Sequence, residues 1–289
     1  MTEMHKTRRV GIVGYGHLGQ YLVEKIKQDG DSLGLEIAFV WNRSVQKLDG
    51  KIPDSLQLKN LEDFEGRKAH LIVEVSHPQI AQDYGELFLR HADFMIGSPT
   101  ALADSKLEIT LRNTAFNYEH TLYVPTGAFW GGEDIQKMAD TGTLKALKVT
   151  MSKHPSCFRL VGSLASQLPP TGVPGRKILF CGPVRDLCPL APNNVNTMAA
   201  AAIAGHNLGF SGVTGCLVAD PELVDWHLVE IDVTGPEIEN SGKLFSVKTV
   251  RSNPAKLGAV TGNATYQSFG AVCLPARGMV DVYTCAEEN

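Results

Sequence analysis

Three glycines near the start of the chain have the spacing most suggestive of chemistry. Gly14, Gly16 and Gly19 form a G-x-G-x-x-G turn between a strand-like segment and a helical pattern. In that setting the first glycine permits a tight turn and the second lets the backbone approach a pyrophosphate. The third lets helix and strand pack closely. The sequence therefore predicts a dinucleotide-binding turn, with His17 and Leu18 among its contacts.

The residues after the second strand-like segment bear on which dinucleotide is bound. Asn42, Arg43 and Ser44 stand where a site that prefers NAD usually has an acidic residue for the ribose hydroxyls. No carboxylate is present there to repel a 2′-phosphate, and Arg43 and Ser44 are able to bind one. This favours NADP over NAD. The alternative is that Arg43 stacks on the adenine and either cofactor fits.

Histidine is the simplest general acid or base near neutral pH, and the chain has nine. His17 lies in the glycine turn, and Ser76 and His77 follow the third strand, near the edge expected to hold a nicotinamide. His206 lies in an alanine-rich helix, and His227 begins a strand. Spacing alone does not choose among them.

Anionic ligands are held by cationic or N–H partners. The glycine-rich segment 126–132 offers backbone N–H groups. The cations available in the same half of the chain are Lys153, His154, Arg159 and Lys248.

The elements that position these residues fall into two patterns. Strand-like segments at 9–13, 35–41, 69–75, 93–96 and 121–124 alternate with helical segments at 20–28, 78–90 and 108–118, with a helix break at 30–34. This alternation predicts a Rossmann-type, doubly wound parallel sheet. After Pro125, helices at 133–140 and 195–208 accompany strands at 144–152, 178–181, 215–219, 227–233 and 243–250. We predict an α/β fold, with a second α+β domain at 126–252 whose sheet is mostly antiparallel. The tail from Pro254 is predicted to be a helix that packs back on the first domain.

Composition excludes several classes of function. The net charge is −4, with 27 basic and 31 acidic residues and no long run of either sign, so no nucleic-acid or anionic-membrane partner is expected. The longest apolar run, Met198–Ile203, is far too short to span a bilayer. Lys6, Arg8 and Arg9 are not followed by the apolar segment of a secretory signal. The six cysteines form no C-x-x-C pair, and no ligand cluster has metal spacing, so we expect reduced thiols, no metal and a cytoplasmic location.

Several segments together resemble the L-aspartate dehydrogenase family. They occur in the family's order, span nearly the whole chain and are more specific than the glycine turn. They are Gly14–Gly19, Pro125–Ala128 with Gly131 and Gly132, Pro192–Asn196, Ala219–Pro221, Trp226–Glu230, and Asn253 with Pro254.

The resemblance implies oxidative deamination of L-aspartate, or a similar dicarboxylate, to an imine that hydrolyses to oxaloacetate and ammonia. NAD(P) takes the hydride. His227 aligns with the catalytic histidine, and Ala128 and Asn194 align with cofactor contacts. Thr126, Gly127, Lys153 and Asn196 are the candidates for substrate binding. The resemblance also implies that residues 253–289 complete the dinucleotide-binding domain 1–125, and that domain 126–252 forms a homodimer.

Three departures from the family pattern bear on the identity of the substrate more than on cofactor binding. Thr126 replaces the usual serine, Leu228 replaces the glutamate after the histidine, and Ala255–Leu257 replaces Lys-Thr-Ser. Glu230 is expected to face away from His227 because strand neighbours alternate. Two alternatives stay open. One is a dihydrodipicolinate-reductase-like or homoserine-dehydrogenase-like enzyme, and the other is a nucleotide-binding sensor or scaffold without catalysis.

Overall fold

The computed structural model describes residues 7–170, 173–238, 241–261, 265–266 and 280–282. The chain divides into two compact units. The first consists of Met1–Ser98, Ser105–Pro125 and Phe269–Asn289. The second consists of Pro99–Asp104 and Thr126–Ser268.

The described residues form twelve strands and eight α-helices. The strands are β1 (Arg8–Val13), β2 (Leu35–Trp41), β3 (Gln57–Leu58), β4 (Leu71–Glu74), β5 (Asp93–Ile96), β6 (Leu122–Val124), β7 (Ala146–Lys153), β8 (Lys177–Pro183), β9 (Thr214–Ala219), β10 (Trp226–Glu237), β11 (Leu244–Pro254) and β12 (Val280–Val282). The helices are α1 (His17–Leu33), α2 (Pro78–Leu89), α3 (Ser105–Asn117), α4 (Gly132–Asp140), α5 (Gly162–Ala165), α6 (Val184–Leu187), α7 (Asn196–Ala204) and α8 (Gly209–Gly212). Among these described helices, none combines the length and hydropathy that a bilayer span requires.

The first unit contains one sheet in the order β12-β6-β5-β4-β1-β2-β3. Strands β1 to β6 pair in parallel, and β12 adds an antiparallel edge to β6. The predicted doubly wound parallel sheet is confirmed. Strand β1 lies between β2 and β4, so the turns that follow these three strands leave the same edge of the sheet side by side. That is where such sheets bind ligands.

Helix α1 is longer than the sequence predicted. The expected break at 30–34 is wrong, since the helix runs to Leu33 and is capped by Gly34 in the left-handed region (φ +64°). Gly30 is buried inside the helix, where a Cβ would lie 2.6 Å from the carbonyl oxygen of Leu35. This glycine permits a close backbone approach and does not end the helix.

The second unit contains a five-stranded sheet in the order β11-β10-β7-β9-β8. Three of its pairings are antiparallel, and β7 with β9 is parallel, so the predicted mostly antiparallel sheet is confirmed. Helix α7 packs on one face, where a Cβ on Gly215 would lie 2.8 Å from the sulfur of Met198.

The unit bounds differ from the expected domain bounds in two places. Residues 253–268 belong to the second unit, because β11 stays paired with β10 as far as Pro254. Residues 99–104 also belong to it, because Thr100 Oγ1 donates to the Pro192 carbonyl oxygen at 3.0 Å. The helix expected from Pro254 is not found at 254–261, which is the strand end followed by turns. Most of the remaining tail lies outside the described residues.

Candidate functional site

The glycine turn after β1 has the geometry of a phosphate cradle. Gly14 has a φ of +118°, and a Cβ there would lie 2.8 Å from the Val75 carbonyl oxygen. A Cβ on Gly19 would lie 2.0 Å from the Gly14 carbonyl oxygen, whereas a Cβ on Gly16 would meet nothing within 4 Å. Close contacts with neighbouring backbone atoms therefore require glycine at positions 14 and 19. Gly16 faces open space, which fits the close approach of a pyrophosphate.

The N-terminus of α1 completes this cradle. Gly16 is its N-cap, and none of the described side chains caps the first N–H groups. The first turn, which begins with His17, has no acidic residue to occupy the positive end of the helix dipole. Unpaired N–H groups and that partial charge suit an anion. The residues present here fit a dinucleotide cofactor.

Asn42 braces the cradle against the end of β2. Its Oδ1 accepts from the Tyr15 backbone N–H at 3.0 Å, and its Nδ2 donates to the Ser44 carbonyl oxygen at 2.9 Å. Both amide ends are thus engaged with backbone. Arg43 and Ser44 are exposed beside it, so their side chains are accessible to a ligand at the end of β2.

A buried carboxyl group, which sequence reasoning missed, joins two turns at the same edge of the sheet. Glu74 is fully buried at the end of β4. Its carboxylate accepts from the backbone N–H of Ser76 at 2.6 Å and of Ser98 at 2.9 Å, and from the Ser98 hydroxyl at 3.1 Å. Burial raises the pKa of Glu74 to about 7, and these hydrogen bonds oppose the rise. The exposed His77 accepts from the Gln79 N–H at 3.1 Å and caps α2.

The raised pKa of Glu74 predicts a pH dependence of stability. The neutral carboxyl group is favoured in the folded state, so its contribution is fully present below pH 4.5 and is lost as the pH rises through about 7. The shift corresponds to about 3 kcal/mol.

A Glu74→Gln variant mimics the protonated group, so residue 74 should no longer contribute to the pH dependence of its stability. Urea unfolding between pH 4.5 and 8 measures the difference from wild type. The exposed Glu36→Gln is the control, and parallel curves for Glu74→Gln and wild type would contradict the assignment.

His227 is the central side chain of the second unit. Burial alternates along β10 from the exposed Trp226, and His227 is only 4% exposed. Its Nε2 atom is buried and has no hydrogen-bond partner within the described part of the chain. Burial and the charge of Lys153 lower the pKa of His227 to about 4, opposed by a hydrogen bond with the backbone of Ala259. The ring is therefore neutral near pH 7.

Lys153 is a buried cation beside this histidine. It ends β7, is 3% exposed, and its Nζ donates to the Val260 carbonyl oxygen at 3.1 Å. Burial lowers the pKa of Lys153 to about 8, and Cys157 opposes this. Lys153 thus keeps its positive charge at neutral pH, so it is suited to hold an anion.

Asn253 lies directly opposite His227 across the β10–β11 pair. Its Nδ2 donates to the His227 carbonyl oxygen at 3.5 Å, while its buried Oδ1 has no partner among the residues that the structure describes. Sequence reasoning noted Asn253 as a family segment but did not place it in the site. A free amide oxygen beside a free imidazole nitrogen suits a ligand that donates hydrogen bonds.

The start of α7 and the glycine-rich junction hold the other predicted residues of this unit. Asn194 accepts from the Arg159 N–H at 2.7 Å and donates to the Cys157 carbonyl oxygen at 3.1 Å, so it fixes that loop. Asn196 Oδ1 is buried, and no described residue hydrogen-bonds to it. The junction folds into a turn in which the Phe129 N–H donates to the Thr126 carbonyl oxygen at 2.9 Å. Gly127 has a φ of +58° there, and Ala128 is buried.

The remaining candidate cations have other surroundings. Lys248 is exposed and pairs with Glu230 and Asp232, on the face of the sheet opposite to His227. Glu230 therefore points away from His227, as the alternation predicted. Arg159 is exposed, and His154 Nδ1 contacts the Ser156 hydroxyl at 2.8 Å. His206 lies 2.8 Å from Asp140 on the surface.

Leu228, which replaces the family's glutamate, also lies on the face opposite to His227. Its substitution therefore removes no contact on the histidine's own face. Within the described residues, no group of three or more His, Cys, Asp or Glu side chains is placed to hold a metal ion.

Comparison with known proteins identifies both halves of the chain. Residues 134–272 match the family described as aspartate dehydrogenase, C-terminal, and residues 14–125 match the homoserine dehydrogenase NAD-binding domain. A relative from Danio rerio, an aspartate dehydrogenase domain-containing protein, is 58% identical over 97% of this chain and 99% of that protein. The chain belongs to the aspartate dehydrogenase family. The family resemblance of the sequence is thereby confirmed.

Two less similar proteins with aspartate dehydrogenase names also match the chain. An L-aspartate dehydrogenase from Methanococcoides burtonii is 30% identical over 78% of this chain and 83% of that protein. The crystal structure of aspartate dehydrogenase from Thermotoga maritima has a TM-score of 0.66 at 20% identity, covering 94% of this chain and 98% of that one, and so shares the fold. Membership makes the chain a nicotinamide-dependent oxidoreductase that acts on a small molecule.

Proposed function

We propose that the chain is an L-aspartate dehydrogenase that interconverts L-aspartate with iminoaspartate, which hydrolyses to oxaloacetate and ammonia. The observation that carries this proposal is a buried, neutral His227 beside the buried Lys153 cation, with no described hydrogen-bond partner for its Nε2. An acid–base group next to an anion anchor suits an amine that also bears carboxylates. An unsatisfied buried nitrogen costs stability, which is tolerated where a ligand completes its hydrogen bonding.

His227 acts in this proposal as the general base toward the substrate amine or the attacking water, and as the general acid in reverse. With its proton on Nδ1, the neutral ring leaves the Nε2 lone pair free. The charge of Lys153 contributes to the low pKa of His227. A bound carboxylate offsets that charge and raises the pKa of His227, so the base becomes stronger when the substrate is present.

The substrate contacts are assigned by chemistry. Lys153 takes a carboxylate, and the N–H groups of the turn at Thr126 and Gly127 supplement it. The free oxygen of Asn196, an acceptor only, takes the substrate amine.

The cofactor assignment rests on the cradle of the first unit. A bound nicotinamide dinucleotide supplies or accepts the hydride. Gly14, Gly16, His17, Leu18 and Gly19 hold its pyrophosphate. The other assigned contacts are Asn42, Arg43 and Ser44 for the adenosine ribose, Ser76 and His77 for the nicotinamide side, and Ala128 and Asn194.

The test is a direct assay. Purified protein is mixed with oxaloacetate, ammonium and either NADPH or NADH, and the reduced-nicotinamide absorbance is followed. Oxidation that needs both substrates is expected. Cofactor binding without oxidation would reject the activity and favour a different carbonyl or imine substrate, or a sensor.

NADP is the preferred cofactor in this proposal, because Arg43 and Ser44 are exposed at the end of β2 with no acidic neighbour at 42–44. An Arg43→Ala variant should weaken NADPH binding by about tenfold or more, since a charge-assisted bond to phosphate is lost, and should change NADH binding little. Titration of cofactor fluorescence measures both dissociation constants. Arg90→Ala, which removes another exposed arginine of the same unit, is the control. Equal losses for both cofactors would assign Arg43 to the adenine instead.

We also propose that the chain forms a homodimer through its second unit. Strand β11 is an edge strand with exposed apolar side chains, namely Leu244, Phe245, Val247 and Val250. Such an edge is usually covered in native proteins. Sedimentation equilibrium should give the mass of two chains, and the mass of one chain would contradict the proposal.

A further inference from the structure

Two cysteines stand opposite each other in the second unit. Strands β8 and β9 pair antiparallel with Cys181 opposite Cys216, between the pairs Phe180–Leu217 and Gly182–Gly215. Directly opposed residues of an antiparallel pair have Cα atoms about 4.5–5.5 Å apart. A disulfide needs Cα atoms within about 4.4–6.8 Å. The register therefore brings the two thiols within bonding range.

The two thiols differ in access to solvent. Cys181 is exposed and Cys216 is 4% exposed. Burial raises the pKa of Cys216 to about 11, and a hydrogen bond with Cys181 adds to the rise. A reagent in solution therefore reacts with Cys181 first. The thiol of Cys216 remains buried in contact with Cys181. The other described cysteines, Cys157 and Cys188, are both buried.

The pair lies away from the catalytic candidates. Cys216 is in register with Thr150 on β7, and Thr150 with Glu230 on β10. Glu230 faces opposite to His227. A bond between Cys181 and Cys216 would therefore form on the other face of the sheet from His227.

We propose that Cys181 and Cys216 are a redox modification site that closes to an intramolecular disulfide by exchange with a small disulfide of the glutathione type. The Cys181 thiolate attacks one sulfur of the reagent, the reagent's S–S bond breaks, and one thiol leaves. Cys216 then loses its proton to water and attacks the Cys181 sulfur, which forms the protein disulfide and releases the second thiol. Two protein thiols are oxidised and one reagent disulfide is reduced to two thiols, so atoms and electrons balance.

Closure ties the edge strand β8 to its neighbour. It also constrains the unfolded chain between the two residues, so the melting temperature should rise by several degrees. Because the second step needs the Cys216 thiolate, its rate should rise about tenfold per pH unit below the pKa of that thiol.

The test incubates the full chain with oxidised glutathione and then measures the intact mass and maps the peptides. Wild type should lose two hydrogens, with the peptides of Cys181 and Cys216 linked, and dithiothreitol should reverse this. Cys216→Ala should stop at one glutathione on Cys181, and the exposed Cys181→Ser should form no internal link. Cys157→Ser, the matched control, should behave as wild type. Wild type that carries only a glutathione adduct, links another cysteine pair or stays unmodified would overturn the proposal. None of these outcomes depends on dehydrogenase activity.

Discussion

A His227→Ala variant is expected to lose turnover by about 10²- to 10⁴-fold, the usual contribution of a positioned acid–base group. Its affinity for NADPH should stay within about twofold of wild type, because the phosphate cradle lies in the first unit and His227 in the second. Among the described residues the buried Nε2 has no hydrogen-bond partner, so removing this atom breaks no described hydrogen bond. Steady-state rates and cofactor titration measure the two quantities separately.

Two further measurements separate a chemical role of His227 from a structural one. Added imidazole should partly restore the turnover of His227→Ala, which it would not do for a misfolded protein. In Lys153→Met, the loss of a neighbouring positive charge should raise the pKa of His227 and move the acid limb of the rate profile to higher pH. His206→Ala, on the surface beside Asp140, is the matched control. Undiminished turnover in His227→Ala would reject the assignment.

Alanine at Gly16 should mainly weaken cofactor binding, whereas alanine at Gly19 should mainly lower stability. At Gly16 the new Cβ meets nothing within 4 Å and φ is −77°, so the fold should lose no more than about 1 kcal/mol. The methyl group would fill the space left for the pyrophosphate, so NADPH affinity should fall at least about tenfold. At Gly19 the Cβ would lie 2.0 Å from the Gly14 carbonyl oxygen, so backbone must move and the unfolding free energy should drop by about 3 kcal/mol.

Thermal unfolding and NADPH titration of the two variants test this contrast. Gly34→Ala, at a positive φ but away from the cradle, is the control for backbone strain: it should lower stability with little change in NADPH affinity. If Gly16→Ala kept full NADPH affinity, the pyrophosphate would not lie against residue 16.

Much of the first unit could be predicted from the sequence because its parallel strands are buried runs bounded by turn residues. The predicted bounds of β2 and β5 agree with the structure. Helix α1 was predicted too short because glycine favours a helix end on average. The reason for glycine at position 30 is instead the backbone of Leu35, which approaches Gly30 from the next strand.

Residues of the candidate site could be proposed from the sequence only where one short segment carries the signal. The glycine turn and His227 are such segments, and the resemblance added the second. Glu74 was missed because its role depends on a hydrogen bond from Ser98. Only the pairing of β4 with β5 brings these two residues together. A carboxylate within an otherwise apolar strand, such as Leu71–Glu74, is the signal that marks it. Asn253 depends in the same way on the register between β10 and β11.

The antiparallel edge strand β12 has a consequence for synthesis of the chain. Its partner β6 ends at Val124, whereas β12 begins at Val280. At about 5–20 residues per second, a ribosome needs roughly 8–30 s to make the chain between them. During that interval β6 has no partner on that edge, and almost all of the second unit is synthesised before β12 appears. The nascent first unit thus presents an open edge to other chains and to chaperones.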